Sequence, residues 1–338
     1  LQMVGNRCAT MMVGGYRYTL CISTEYEVYS FGTNGEGAHG FSTNHPLPLQ
    51  KIPCLVNIKG IACGDHTVCL DFDGNVYTFG GNKSGQLGIG LSVDSTYEPQ
   101  KLSNLPPIKQ ISCGRNFTMC VSEEGDVYSF GDNTDGKLGL DDFANCGFPK
   151  KIESLCNVDF VECGDDFTFC KTLSNDIYGW GYNDNGELGF GSKQKQVKPY
   201  HITNWPDDVV DIKCGLRHTL VLTSIQEVYS CGANNSGQLG LLNVGTGVYC
   251  DKLTKIDEIE EIVRIECGYY HSMCIDINNI LYVFGENSSG ELGLGDGEKR
   301  RAPVQHPTLS KVIDISSGGN QSFVKTSNNE IFAFGWNA

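Results

Sequence analysis

Short apolar runs of alternating character recur along this chain, each bounded by clusters of Gly, Asn, Asp and Ser. The pattern is most complete over residues 111–139, ISCGRNFTMCVSEEGDVYSFGDNTDGKLG. A first run ends in Cys113-Gly114. After a tight turn come FTMCV, the polar turn SEEGD, and a third run, VYSF, stopped by Gly131. The Asn-Thr-Asp-Gly turn and Lys137-Leu138-Gly139 close the unit. Runs of this length, rich in β-branched and aromatic residues and separated by turn formers, predict antiparallel strands joined by hairpins.

The rest of the chain repeats this unit. The Cys-Gly glycine position returns at Gly15, Gly64, Gly114, Gly164, Gly215, Gly268 and Gly319, at intervals of 49 to 53 residues. The glycine closing the third run returns 16 or 17 residues later each time, at Gly32, Gly80, Gly131, Gly181, Gly232, Gly285 and Gly335. Gly-x-Leu-Gly follows in five copies, and in degenerate form in the first, Gly37-Ala38-His39-Gly40. A fixed period near 50 marks a propeller or solenoid. Between copies runs a variable fourth segment, from PLQKIP to APVQHP, whose prolines suit an edge strand, where a missing N–H costs no ladder bond.

Four strands per unit are the content of one propeller blade. The expected fold is therefore all-β, a seven-bladed β-propeller of four-stranded blades, forming a single domain over residues 1–338. Only six fourth segments lie between the seven copies. The chain opens LQMVGN, similar to LQKIPC at 49–54, and ends FGWNA, short of the Gly-x-Leu-Gly turn. Residues 1–4 are expected to supply the missing outer strand, so that N- and C-terminal strands share one blade and close the ring.

Composition narrows the function classes. A formal net charge of −15 argues against general nucleic-acid binding, which needs a basic stripe to neutralise phosphates. The clusters Lys150/Lys151, Lys193/Lys195/Lys198 and Lys299/Arg300/Arg301 all fall in the loop before the edge strand and read as solvated loop charges. No stretch approaches the apolar length of a membrane span, so no membrane insertion is expected. No basic-then-apolar leader opens the chain; it does not start with Met, which leaves room for a leader or flanking domains.

Sixteen cysteines resemble a disulfide framework until their positions are compared. Cys63, Cys113, Cys163, Cys214 and Cys267 share one repeat position, and Cys21, Cys69, Cys120, Cys170 and Cys274 share another. Thiols locked into apolar strands act as small buried hydrophobes. Without any Cys-x-x-Cys, a zinc site is not expected. The chain reads as reduced and intracellular, cytoplasmic or nuclear, with no cofactor.

The order Cys-Gly-x-x-His/aromatic-Thr, a polar turn, then Val-Tyr-Ser-Phe-Gly-x-Asn-x-x-Gly-x-Leu-Gly resembles the regulator of chromosome condensation repeat. Copies at 214–240 and 267–293 carry it well, and the resemblance covers essentially the whole chain. It implies a seven-bladed propeller. Family members include a guanine-nucleotide exchange factor for the nuclear GTPase Ran, a plant UV-B photoreceptor, and interaction domains within ubiquitin ligases and kinases. Fold alone does not choose among them.

His66, His218 and His271 occupy a position held elsewhere by Tyr18, Phe117, Phe167 and Gln321. Exchange with aromatics indicates packing and turn hydrogen bonding, and no nucleophile–base constellation is present. The Asp- and Asn-rich turns at 132–136 and 183–186 lack the downstream glutamate of a calcium loop, so no metal is expected. The sharper signal follows Cys-Gly, where the residues vary within a constant frame. They are Tyr16-Arg17, Asp65 alone, Arg115-Asn116, Asp165-Asp166, Leu216-Arg217, Tyr269-Tyr270 and Asn320 alone. Repeat symmetry puts them on equivalent turns of one face, flanked by His218 and His271. Variable side chains on a rigid scaffold are how repeat folds build recognition surfaces.

The resemblance sharpens these expectations. In the UV-B photoreceptor, tryptophans at such turns form the chromophore; here Trp180, Trp205 and Trp336 all lie elsewhere. In the Ran exchange factor an Asp and a His on these turns matter, and a hairpin wedge protrudes from one blade. Asp166 matches the Asp by turn position, with His218 or His271 available; counting copies from the N-terminus puts Asn116 and Arg217 there instead. The spacing from Gly-x-Leu-Gly to the next Cys-Gly runs from 24 to 28 residues, so no hairpin is inserted and residues 241–250 are the one short candidate. The expected function is a protein–protein interaction platform engaging a small GTPase or another regulatory protein. The alternative is guanine-nucleotide exchange on a Ran-type GTPase.

Overall fold

The computed structural model describes residues 9–15, 17–33, 36–42, 45–245 and 247–336. In the third copy, strands Ile108–Cys113, Phe117–Ser122, Val127–Gly131 and Cys146–Lys151 pair antiparallel in chain order. Cys120 stands opposite Ile111 on one side and Tyr128 on the other. The same up-and-down order builds each of seven sheets, six of four strands and, among the described residues, one of three, Val312–Gly318, Gln321–Thr326 and Ile331–Gly335. The fold class is an all-β, seven-bladed β-propeller. The outer strand expected from residues 1–4 falls outside the described residues, as does Tyr16.

Sequence explains the order of strands within a blade. Every residue of Phe117–Ser122 is buried, because this second strand lies between two strands and between two sheets. Hence its near-continuous run of apolar side chains and small hydroxyls. The fourth strands carry the prolines, Pro99, Pro149, Pro199 and Pro303, on the unpaired edge. Gly131 ends the third strand with φ of 116°, and a Cβ there would stand 2.5 Å from the Asn116 carbonyl oxygen, so only glycine fits.

The chain resolves into two compact units, residues 2–182 with 196–201, and residues 183–195 with 202–337. In the first, Phe117, Met119, Leu138 and Ile152 of the third blade pack against Val158, Val161 and Trp180 of the fourth. In the second, Leu220, Leu239 and Ile256 of the fifth blade pack against Ile262, Ile265 and Phe284 of the sixth. The cores thus lie between successive sheets. Each fully buried Leu, Ile or Phe contributes roughly 1.5–3 kcal/mol.

No disulfide joins any two of the fifteen described cysteines, and Cys21, Cys69, Cys120, Cys170 and Cys274 are buried in the second strands. Burial pushes the Cys21 and Cys63 thiols up to about 12. The basic clusters, expected in loops, lie largely in the fourth strands, with Lys150 and Lys151 in Cys146–Lys151, Lys198 in Gln196–Ile202, and Arg300 and Arg301 in Arg300–Gln305. They are met by neighbouring carboxylates, Lys198 by Asp141 at 3.5 Å and Arg300 by Asp296 at 2.6 Å.

Candidate functional site

The Cys-Gly turns are joined backbone to backbone. In the first unit the Asp65 N–H donates to the Arg115 carbonyl at 2.9 Å, and the Arg115 N–H to the Asp165 carbonyl at 3.1 Å. In the second unit the Leu216 N–H donates to the Tyr269 carbonyl at 3.2 Å, and the Tyr269 N–H to the Gly319 carbonyl at 2.8 Å. This close approach dictates the glycine. A Cβ on Gly64 would stand 2.2 Å from the Gly114 carbonyl oxygen. Within each unit the turns therefore form a rigid row whose backbone is constant and whose side chains differ.

At three successive turns the second residue lies against the blade before it. Gln86, the variable residue of its Gly-x-Leu-Gly, donates from Nε2 to Asn116 Oδ1 at 3.1 Å. At the next blade, Lys137 donates to Asp166 at 2.5 Å and to Asp132 at 2.7 Å. Further on, burial pushes the Glu187 carboxyl up to about 7, opposed first by hydrogen bonds from Asn185 and last by the positive charge of Arg217. Gln with Asn and Lys with Asp are complementary hydrogen-bonded pairs across the same step of the repeat, and Glu187 with Arg217 are opposite charges at the next step. The sequence reading missed this match, although comparing the Gly-x-Leu-Gly column with the next copy's turn column displays it.

The expected row is accordingly narrowed. Asn116 and Asp166 serve contacts between blades, and Arg217 is half-buried with its charge towards Glu187. Asp165 is buried, Asp65, Leu216, Tyr269, Tyr270 and Asn320 are half-buried, and Arg17 and Arg115 are exposed. The Arg115 Nε lies 3.4 Å from Asp65 Oδ2, so neighbouring first-position side chains touch across the row.

The histidines face inward. His66, His218 and His271 are fully buried. Their Nε2 atoms lie 2.7, 3.0 and 2.7 Å from the hydroxyls of Thr118, Ser272 and Ser322 on the next blade. Each hydroxyl donates its proton to a Gly-x-Leu-Gly carbonyl, of Gln86, Gln238 and Glu291 respectively. It must therefore accept from the imidazole, which assigns the Nε2–H tautomer. Tyr18 reaches Thr67 at 3.0 Å in the same way, while Phe117 and Phe167 fill the place by packing alone. His218 and His271, expected to flank a partner-facing row, thus bind the following blade instead.

Burial lowers His66 and His218 to about 3 and His271 to about 4, from an ordinary 6.5. The unfolded chain takes up these protons near pH 6.5 and the folded chain does not, so stability falls as pH drops from about 6.5 towards 3. Each histidine contributes about 1.4 kcal/mol per pH unit to that fall. His66→Phe, which copies Phe117, is expected to remove one proton from the slope between pH 6 and 4 in urea denaturation; an unchanged slope would reject the assignment.

Five consecutive segments, residues 73–121, 124–170, 174–222, 227–275 and 278–324, match the Regulator of chromosome condensation (RCC1) repeat. The chain belongs to the regulator of chromosome condensation repeat family. Among relatives of this family, the ultraviolet-B receptor of Arabidopsis thaliana is 32% identical over 98% of the chain and 66% of the receptor. The X-linked retinitis pigmentosa GTPase regulator of Mus musculus is 36% identical over 83% of the chain and 29% of its own length. The chain therefore spans less than two thirds of either relative. The crystal structure of Prp20p from Saccharomyces cerevisiae, reported with its binding properties to Gsp1p and histones, matches with a TM-score of 0.81. That match covers 91% of this chain and 80% of Prp20p at 23% identity, and it shows a shared fold. The regulator of chromosome condensation repeats matched here begin after the first copy, the one whose Gly-x-Leu-Gly is degenerate.

Proposed function

We propose that this propeller is an intracellular protein-binding platform that docks a regulatory protein on its rows of Cys-Gly turns, a Ran-type small GTPase being the first partner class to test. The observation that carries the reading is the backbone-locked row, whose first-position side chains differ from turn to turn and, at Asp65, Arg115, Leu216 and Tyr269, reach the surface. One unit offers the charged pair Asp65 and Arg115; the other offers Leu216 and Tyr269. A fixed backbone lowers the ordering cost of association, and Arg and Tyr are the side chains most often dominant at interfaces. A relative named as a GTPase regulator, and a neighbour reported with binding to Gsp1p, support the partner class. Among the described residues no helix is long and apolar enough to cross a membrane.

Docking is favoured over nucleotide exchange by three features. Asp166, the turn residue the family resemblance links to exchange, is held by Lys137. The candidate histidines are fully buried. In the candidate wedge, Val244 packs on the core and its carbonyl accepts from Asn234 Nδ2 at 3.2 Å, which holds this residue against its own blade.

The test combines capture of a purified Ran-type GTPase with release of a fluorescent GDP analogue at catalytic concentration of this protein. Capture without faster release is expected. Acceleration of roughly a hundredfold or more, about 2.7 kcal/mol of barrier, would replace docking by exchange. Neither capture nor acceleration would remove this partner class. Arg115→Glu with Tyr269→Ala is expected to weaken capture about tenfold or more, with an unchanged Tm.

A further inference from the structure

At the end of the blades away from the Cys-Gly turns, the unit of residues 183–195 and 202–337 carries a second surface. Ile225 and Ile277, in the hairpins between second and third strands, are 67% and 54% exposed. Val210, Val263 and Ile313, where the first strands begin, are 47%, 41% and 37% exposed. The corresponding hairpins of the other unit expose Tyr26, Phe72 and Leu173 as well, so it is the charge beside these side chains that sets this surface apart.

Backbone hydrogen bonds make these elements one surface. The Ser224 N–H donates to the Asp208 carbonyl at 2.9 Å, Ile262 to Gln226 at 3.1 Å, Ile277 to Glu261 at 2.9 Å and Val312 to Asn279 at 3.0 Å. Between the Ile225 and Ile277 hairpins runs Asp257-Glu258-Ile259-Glu260-Glu261. Ile259 is buried in the core, which turns the four carboxylates outward, and all four are exposed. None of the four forms an ion pair among the described residues. Lys255, whose ammonium lies in the field of Asp257 and Glu260, is held by Glu227 at 2.5 Å. The equivalent connections of the other unit lack this charge: residues 52–57 and 102–107 contain no carboxylate, and 152–157 only Glu153.

We propose that this surface docks a basic, amphipathic segment of a partner protein. Its apolar side chains cover Ile225, Ile277 and Val263, and its Lys or Arg side chains meet Asp257, Glu258, Glu260 and Glu261. Chemistry selects this occupant. An anionic membrane or a nucleic acid would set like charge against the carboxylates, and a second copy of the chain would do the same. A segment with cations beside apolar residues buries the exposed branched side chains and neutralises the acidic strip together. The surface is separate from the Cys-Gly turns, so it stands independently of their partner.

The test measures fluorescence polarisation of a labelled amphipathic Lys/Leu peptide on the full chain, beside a Lys/Ser peptide of equal charge. Binding of the Lys/Leu peptide alone is expected. Ile225→Asp with Ile277→Asp should weaken it about tenfold or more. Asp257→Asn with Glu258→Gln and Glu260→Gln should do the same and flatten its salt dependence. These side chains are exposed, and a thermal melt checks that the variants fold. Equal binding of the two peptides, or an equal loss from the control Glu123→Gln with Glu124→Gln in the other unit, would reduce the effect to general charge attraction and overturn the proposal. Self-association seen by light scattering and abolished by Ile225→Asp would overturn it in favour of a second copy.

Discussion

Replacing Lys137 with Met is expected to destabilise the folded chain by about 3–5 kcal/mol, because it strands buried charge without its partner. Lys137 is 2% exposed, and its ammonium lies between Asp132 and Asp166, each 15% exposed. Methionine fills the volume of the stem but leaves two carboxylates facing each other in a poorly solvated place. Burial pushes the Asp132 carboxyl up, yet the hydrogen bond and charge of Lys137 outweigh it and hold the group below its ordinary 3.8. Burial likewise opposes the Lys137 charge, and the two carboxylates override it and raise the ammonium above 10.5.

The signs fix the pH window of this effect. A depressed carboxylate stabilises the folded state above about pH 4, and that contribution is lost as pH falls through the folded value. A raised ammonium stabilises up to about pH 10.5, and the contribution is lost above it. The gap between wild type and Lys137→Met should therefore be widest near neutrality and shrink below pH 4. Urea denaturation at pH 7 and at pH 3.5 measures it. A loss under about 1 kcal/mol, or one independent of pH, would mean that the triad is solvated and dispensable. The double variant Lys137→Gln with Asp166→Asn rebuilds the Gln86–Asn116 pair one blade on. It should recover part of the loss, leaving what Asp132 still lacks.

That pair also marks where the sequence stops being legible. Period, strand ends and edge prolines can be read because each is local: a run of alternating residues and a glycine that admits no Cβ reveal themselves within a single copy. Even the histidine position betrays its packing role, since Tyr18, Phe117 and Phe167 replace it. The partners of Lys137 and His66 cannot be read that way, for they come from the next sheet and depend on how far successive turns approach. The variable residue of Gly-x-Leu-Gly looks like surface variation until its carbonyl and side chain are seen against the following blade. For the same reason Asp165-Asp166 reads as an acidic pair offered to a partner, whereas one member is buried and the other is taken by Lys137.

Gly64→Ala tests the turn row through its backbone and is expected to cost about 3 kcal/mol. The added Cβ would stand 2.2 Å from the Gly114 carbonyl oxygen and 2.8 Å from that of Arg115. Both are backbone atoms that cannot swing away, so the two turns must separate, and the Asp65 N–H loses its bond to Arg115. Gly60→Ala, four residues earlier in the same blade, is the control: its Cβ would meet only Leu70 Cβ at 3.8 Å, ordinary contact. That change should leave stability unchanged or raise it by up to about 1 kcal/mol, since alanine restricts the unfolded chain. If both substitutions proved equally mild, the turns would be free to part and would not be the rigid row a partner could read. Loss of stability and of capture together in Gly64→Ala, against loss of capture alone in the Arg115 and Tyr269 variant, would separate the frame of the site from the side chains it presents.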